Sequence, residues 1–208
     1  MSRKVMKILK WIMIKLLGMT VKPLLLLYGW NHGLYAEPYQ KDLEQYKELI
    51  RSLFFQKIFR LNAHVPWPVH FTSRVGTPNN FHFDKHYVRC FQAPGCYWQG
   101  LSPIYFKGCF LVAQYVDFIS NNHDIHSIGS HTLDVPPIII GDNCLFSSGC
   151  VILPGVELGD NTIVAANAVV NKSFPEGNCV IGGVPAKILK KLDPDKIIRA
   201  NYKDFWPY

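Results

Sequence analysis

No two cysteines in the chain are spaced C-x-x-C, although there are six of them: Cys90, Cys96, Cys109, Cys144, Cys150 and Cys179. That absence excludes a zinc ribbon and a thioredoxin-type redox pair. The even count is read as free buried thiols in a reducing compartment. Also missing is any run of about 18 uncharged apolar residues, the minimum for a clean transmembrane helix. Residues 5–30 come nearest, but Lys10, Lys15, Lys22 and Pro23 interrupt them. A signal peptide fits no better, because lysines fall in the apolar stretch and no small-x-small cleavage site follows. Charged residues are few, 18% against 49% apolar in 208 residues, which excludes long disorder and leaves ample material for one core plus an appendage. The formal net charge is +7, and Arg3, Lys4, Lys7, Lys10, Lys15 and Lys22 crowd the start of the chain. A nucleic-acid-binding surface would cluster such charge on a folded face. This cluster reads as an arm that faces a membrane or an anion.

The arm has helical periodicity. At 100° per residue Lys4, Lys7, Lys10 and Lys15 share one side, while Val5, Leu9, Ile12, Met13 and Leu16 share the other. Pro23 ends or kinks this helix, and Leu24–Leu27 add an apolar patch. A peripheral membrane contact through residues 3–27 and a helix packed on its own domain are the two readings. Residues 39–60 predict a second helix, with Leu43, Tyr46, Ile50, Leu53 and Phe54 at helical spacing. Residues 62–96 show no clear period, and short strands are expected there.

From Trp98 the period changes to six. Trp98, Ile104, Phe110 and Val116 are apolar, and after a gap Ile140, Phe146, Ile152, Leu158, Val164 and Val170 continue the count. Ten such hits would arise by chance roughly once in a thousand at average composition. Neither a helix nor an alternating hairpin strand repeats every six residues. A parallel β-helix does, three repeats making one coil. Gly141-Asp142-Asn143 and Gly159-Asp160-Asn161 would serve its corners.

The stretch IIIGDNCLFSSGCVILPGVELGDNTIVAANAVVNKSFPEGNCVIGGVPAKIL, residues 138–189, resembles the hexapeptide-repeat acyltransferases. The weaker segment from Trp98 to His123 resembles their sugar O-acetyltransferases in particular. The resemblance implies a mainly β fold: a left-handed parallel β-helix over residues 62–183, a helical N-terminal extension over 1–61, and a short C-terminal helix or tail over 184–208. It also implies a homotrimer, with each active site between two prisms.

The same resemblance implies acetyl-CoA as acyl donor, no metal, and a catalytic His on a loop that leaves the prism. Here the loop is 121–137, and His123, between Asn122 and Asp124, matches the motif. A neutral imidazole can take the proton of an acceptor hydroxyl as its oxygen attacks the thioester, with Asn122 and Asp124 beside the acceptor. The CoA pantetheine arm needs small neighbours, and Ser148, Ala166 and Gly183 match by type and position. Lys172 and Lys187 match the family's cations for the CoA phosphates. Leu145, Asn171 and Val184 depart from the common residues, which bears on pocket shape and acyl length.

The function so implied is a cytoplasmic O-acetyltransferase, also peripheral on the inner membrane face, that modifies a sugar hydroxyl in bacterial polysaccharide or glycolipid synthesis. No nucleic-acid partner is expected. Two alternatives remain. His126 and His131, with His82 or His86, suit a γ-class carbonic-anhydrase-like zinc hydratase. A prism without catalysis could instead serve as a trimeric scaffold.

Overall fold

The computed structural model describes residues 43–200 and, ahead of them, eight helical positions between Met6 and Met19. Lys4, Lys7, Lys10, Trp11, Pro23, Leu24–Leu27, residues 39–42 and the tail from 201 lie outside the described residues.

The second helix is present as α1 (Leu43–Leu53), followed by a π-helical turn, Phe54–Ile58. Its inner side buries Leu49, Leu53, Ser52 and Gln56. Gln56 works as a bracket. Its Nε2 donates to the carbonyls of Asn62 and Trp67, and its Oε1 accepts from the Val69 amide at 2.8 Å. Every polar atom of this buried amide is thereby paired, which removes the cost of burying it.

Residues 62–96 hold fewer strands than expected. Only β1 (Arg74–Val75) and β2 (Phe81–His82) form there, and 3₁₀ turns occupy Pro78–Asn80 and Lys85–Gln92. Asp84 starts the longer turn by accepting the His86 amide. The turn presses Val88, Cys90 and Phe91 inward.

Beyond Tyr97 the chain winds into a three-faced prism with parallel strands stacked on each face. One face carries β2, β4 (Ile104–Phe106), β9 (Ile138–Ile140) and β12 (Glu157–Leu158). The second carries β5 (Phe110–Val112), β10 (Cys144–Phe146), β13 (Thr162–Val164) and β15 (Cys179–Gly182). The third carries β1, β3 (Tyr97–Trp98), β6 (Asp117–Phe118), β11 (Val151–Ile152) and β14 (Val169–Val170).

All ten residues of the six-residue count are buried, at 1% exposure or less. Their stacking differs from the simple count. Ile140 pairs with Phe106, not Ile104, and Ile152 pairs with Phe118, not Val116. The coil interrupted by the loop therefore carries 34 residues between equivalents, while the next coil carries 18, as Phe146 to Val164 shows. The shift of two escapes a periodicity count because side chains two apart on a strand face the same way. Ile104 and Phe106 both point inward around the exposed Tyr105. The lower coils are filled by stacked rings, with Trp98 on Phe118 at 4.9 Å and Phe106 on Phe110 at 4.0 Å. The upper coils narrow to Ile152, Leu158, Val164 and Val170.

The Gly-Asp-Asn corners perform the expected turn. Asn143 and Asn161 both take φ of 58°, and their amides form a ladder: Asn143 donates to Asn161 at 2.7 Å, and Asn161 to Asn178 at 2.8 Å. Short polar side chains tolerate this left-handed backbone and also tie successive coils. Asp142 accepts the Cys109 amide and Asp160 the Asp142 amide, so each carboxylate fastens the adjacent coil.

The C-terminal region begins with a strand rather than a helix. β16 (Lys187–Lys191) runs antiparallel to β15, and the only helical element of this region among the described residues is a single 3₁₀ turn, Pro194–Lys196. Arg199 then reaches back across the corner to Asp142 and Asp160, at 3.3 and 3.2 Å.

Candidate active site

The three faces meet at three edges, and the predicted site residues fall on different ones. The loop leaves the prism after β6 on the third face and returns as β9 on the first. It forms a short antiparallel excursion of its own, β7 (His123–Asp124) against β8 (Ser127–His131). His123 lies opposite His131, with ring centroids 4.6 Å apart, and both are exposed. Asp124 accepts the His126 amide at 2.7 Å, which bends the chain just past the histidine. Asn122 accepts the Thr132 amide through its carbonyl, closing the base of the excursion.

Rigidity at that base comes from a residue the sequence reading passed over. Asn121 is 9% exposed, and its Nδ2 donates to Ser102 Oγ and to the Thr132 carbonyl. Its own amide donates to Gln99 Oε1 at 2.7 Å, and the Ser102 amide donates to Ser120 Oγ. A buried network of this kind fixes where the loop departs. The Asn-Asn pair preceding His123 was the available signal, but the six-residue count breaks just before it.

Ser148, Ala166 and Gly183 occupy the edge between the second and third faces. The register of β10, β13 and β15 places them one above another, and the Asn167 amide bonds to the Ser148 carbonyl, as the Val169 amide does to Gly183. All three are at least partly exposed and small, so backbone on this edge is open to an extended ligand. Lys187 opens β16 opposite Gly182, four residues after Gly183. Lys172 follows β14 at the edge between the third and first faces, with its ammonium 5.5 Å from the Phe174 ring centroid. Both lysines are exposed. Thus the structure joins the three small residues in one column but leaves His123 on another edge of the same protomer.

Beside Ser148 opens a cleft of about 430 Å³ between the prism and α1. Its polar lining includes Glu48, Arg89, Gln92 and Gln114. Arg89 is nearly buried and donates to Glu48 at 2.9 Å; Gln92 accepts from Ser52 Oγ at 2.9 Å. Glu48, Arg89 and Gln92 lie outside the six-residue repeat, so periodicity could not find them. Cys90 also lines the cleft, but burial pushes its thiol far up and Sγ donates to the Phe110 carbonyl. Burial likewise pushes Cys96 up to about 11 and Cys144 and Cys150 up to about 12. These thiols are not nucleophiles near neutral pH, and all six cysteines are free and buried. His82 stacks on Tyr105 at 4.4 Å and His86 bonds Asp84, and among the described residues no three His, Cys, Asp or Glu side chains converge on one point.

Residues 137–172 match the profile of the bacterial transferase hexapeptide (six repeats) family. That stretch of the chain is a hexapeptide-repeat segment. The chain carries these repeats in a prism of stacked parallel strands, a parallel β-helix. It is 27% identical to the galactoside O-acetyltransferase of Escherichia coli K12 over 86% of this chain and 82% of that protein. It is 35% identical to YJL218W of Saccharomyces cerevisiae over 41% of this chain and 48% of the relative. It is 37% identical to WbbJ of Escherichia coli K12, which carries the name of a lipopolysaccharide biosynthesis O-acetyl transferase, over 40% of this chain and 47% of that one. The matched region thus spans about half the length of the yeast protein and of WbbJ.

Proposed function

We propose that this hexapeptide-repeat protein is an acetyl-CoA-dependent O-acetyltransferase, acting on a sugar hydroxyl in bacterial polysaccharide or glycolipid synthesis. The observation that carries the reading is the coexistence of one histidine-bearing excursion from the prism with an open column of small residues. The likeness to a galactoside O-acetyltransferase over most of both chains supports the sugar class of acceptor.

In this reading acetyl-CoA lies along Ser148, Ala166 and Gly183, with Lys172 and Lys187 on its phosphates. His123 accepts the proton of the acceptor hydroxyl while that oxygen bonds to the acetyl carbonyl carbon. A backbone N–H on the prism edge meets the negative charge that builds on the carbonyl oxygen. The C–S bond then breaks, the proton on His123 passes to the leaving thiolate, and the acetyl ester and free CoA depart. No enzyme thiol needs to enter, in keeping with the buried cysteines. Asn122 and Asp124 flank the acceptor. Because His123 and the column occupy different edges, the base of one protomer serves the column of its neighbour in a homotrimer. We place the enzyme in the cytoplasm, with peripheral contact to the membrane through residues 3–27.

The test is acetyl transfer from acetyl-CoA across a panel of sugar acceptors, run with wild type, Lys172→Ala and Lys187→Ala. Each lysine variant should weaken acetyl-CoA binding roughly tenfold through loss of one charge-assisted contact. The lysine that meets the 3′-phosphate should cease to distinguish CoA from dephospho-CoA when replaced. Wild-type affinity in both variants would remove these residues from the donor site.

A further inference from the structure

The charge of this chain is divided at the boundary of the prism. Residues 1–61 hold eleven Lys and Arg against four Asp and Glu, so the whole net charge of +7 resides there, while residues 62–208 hold eleven of each. The structure shows what accompanies that charge where α1 ends. Phe54 and Phe59 are 46% and 59% exposed, with rings 5.2 Å apart. Ile58 at 66% and Leu61 at 43% extend the same apolar surface. Beneath it Phe55 stacks on Phe71 at 4.3 Å, so the tip has a firm aromatic floor. Arg51, Lys57 and Arg60 are all exposed along the same stretch, which contains no acidic residue from Leu49 to Leu61.

Exposed aromatics bordered by cations are the composition of a bilayer-interface contact: rings enter the headgroup boundary while Arg and Lys meet anionic lipid. Position supports this occupant. Just past the tip, Asn62 donates to the Ser73 carbonyl and accepts the Val75 amide, and His64 Nε2 lies 2.9 Å from the Val75 carbonyl. The tip is therefore fastened to β1, the outermost strand of the third face, at the first-coil end of the prism. In a trimer with its axis along the prism, three tips face one plane and act together. The N-terminal helical stretch contributes a matching surface: Met6, Leu9, Ile12, Met13 and Leu16 are each more than 40% exposed.

We infer that the end of α1, through Phe54, Ile58, Phe59 and Leu61 with Arg51 and Arg60, is a second membrane-docking element that seats the first-coil end of the protein on an anionic bilayer. This rests on the trimeric reading only for the gain from three tips, and it suits a lipid-linked acceptor, which would share the surface.

The experiment is flotation of the full chain with vesicles of phosphatidylcholine alone and with about one third phosphatidylglycerol, an anionic fraction set for surface attraction. Wild type is compared with Phe54→Ser/Phe59→Ser and with Arg51→Glu/Arg60→Glu. Binding should appear on the anionic vesicles only and fall by roughly tenfold or more in each double variant. Light scattering and acetyl transfer to a soluble sugar should be unchanged, so this proposal and the enzymatic one fail separately. Wild-type flotation by both variants would assign membrane contact to residues 3–27 alone and overturn the inference. A change of oligomeric state in Phe54→Ser/Phe59→Ser would make the tip a protein interface and overturn it as well. Absence of wild-type binding to anionic vesicles would also refute it.

Discussion

Replacing His123 by alanine should lower acetyl transfer by roughly 10²–10⁴-fold while leaving acetyl-CoA affinity nearly unchanged. The imidazole acts on the acceptor proton, and the column of small residues proposed for the donor lies on another edge of the prism. His126 is exposed at the turn of the excursion, and its amide, which donates to the Asp124 carboxylate, is kept on substitution, so His126→Ala should cost much less. His131 lies opposite His123, and its loss should act through the position of the His123 ring rather than through chemistry. Steady-state rates with a saturating donor would separate the three. An inactive His126→Ala beside a near-normal His123→Ala would reverse the assignment.

A large loss of stability should come from Gly159→Ala. A β-carbon there would lie 2.2 Å from the Pro175 carbonyl oxygen and 2.6 Å from the Gly177 amide nitrogen. Both are backbone of the next coil, and neither can rotate aside. Moving that coil strains the bonds that hold it, including Gly159 N–H to the Phe174 carbonyl at 2.9 Å and Asn178 N–H to the Asp160 carbonyl at 2.8 Å. The cost should be about 3 kcal/mol or more, the scale of severe overpacking. For a chain of this size that is a fall in melting temperature of roughly 6–12 °C. Gly155 makes a useful contrast. Its φ is +71° but the nearest atom to a new β-carbon is 3.6 Å away, so Gly155→Ala should cost only the left-handed backbone penalty of about 1–2 kcal/mol. Gly129, with nothing within 4 Å, should tolerate alanine. A melt in which Gly159→Ala matched Gly129→Ala would show that the coils are not packed as described.

The prism was legible because its cause is periodic. Ile140, Phe146 and Ile152 recur every six residues since each must fill the same narrow interior, and Asn143 and Asn161 recur since each must take the same backbone turn. The loop was legible as the place where that recurrence stops. What the sequence could not reveal depends on contacts between segments far apart. Glu48 and Arg89 meet across 41 positions, and nothing in either neighbourhood announces the pair. Asn121 looks like a loop residue until Ser102 and Thr132 are seen to close around it. The stretch from 62 to 96 resisted reading because its order comes from packing Trp67, Phe81 and Phe91 under the first coil, not from a repeat. The same limit explains why β16 was read as tail: its five residues are all exposed, and only pairing with β15 makes them a strand.

The separation of His123 from the Ser148–Ala166–Gly183 column makes the shared active site the central claim, and hybrid trimers test it most directly. One chain carries His123→Ala; the other carries Ala166→Trp, which blocks the column from an exposed position without entering the core. Each homotrimer should be inactive in acetyl transfer. Co-expressed at equal levels, the two chains should regain about one quarter of wild-type activity, because one interface in four then joins an intact histidine to an intact column. Hybrids no more active than either parent would contradict the account and place base and donor site within a single chain.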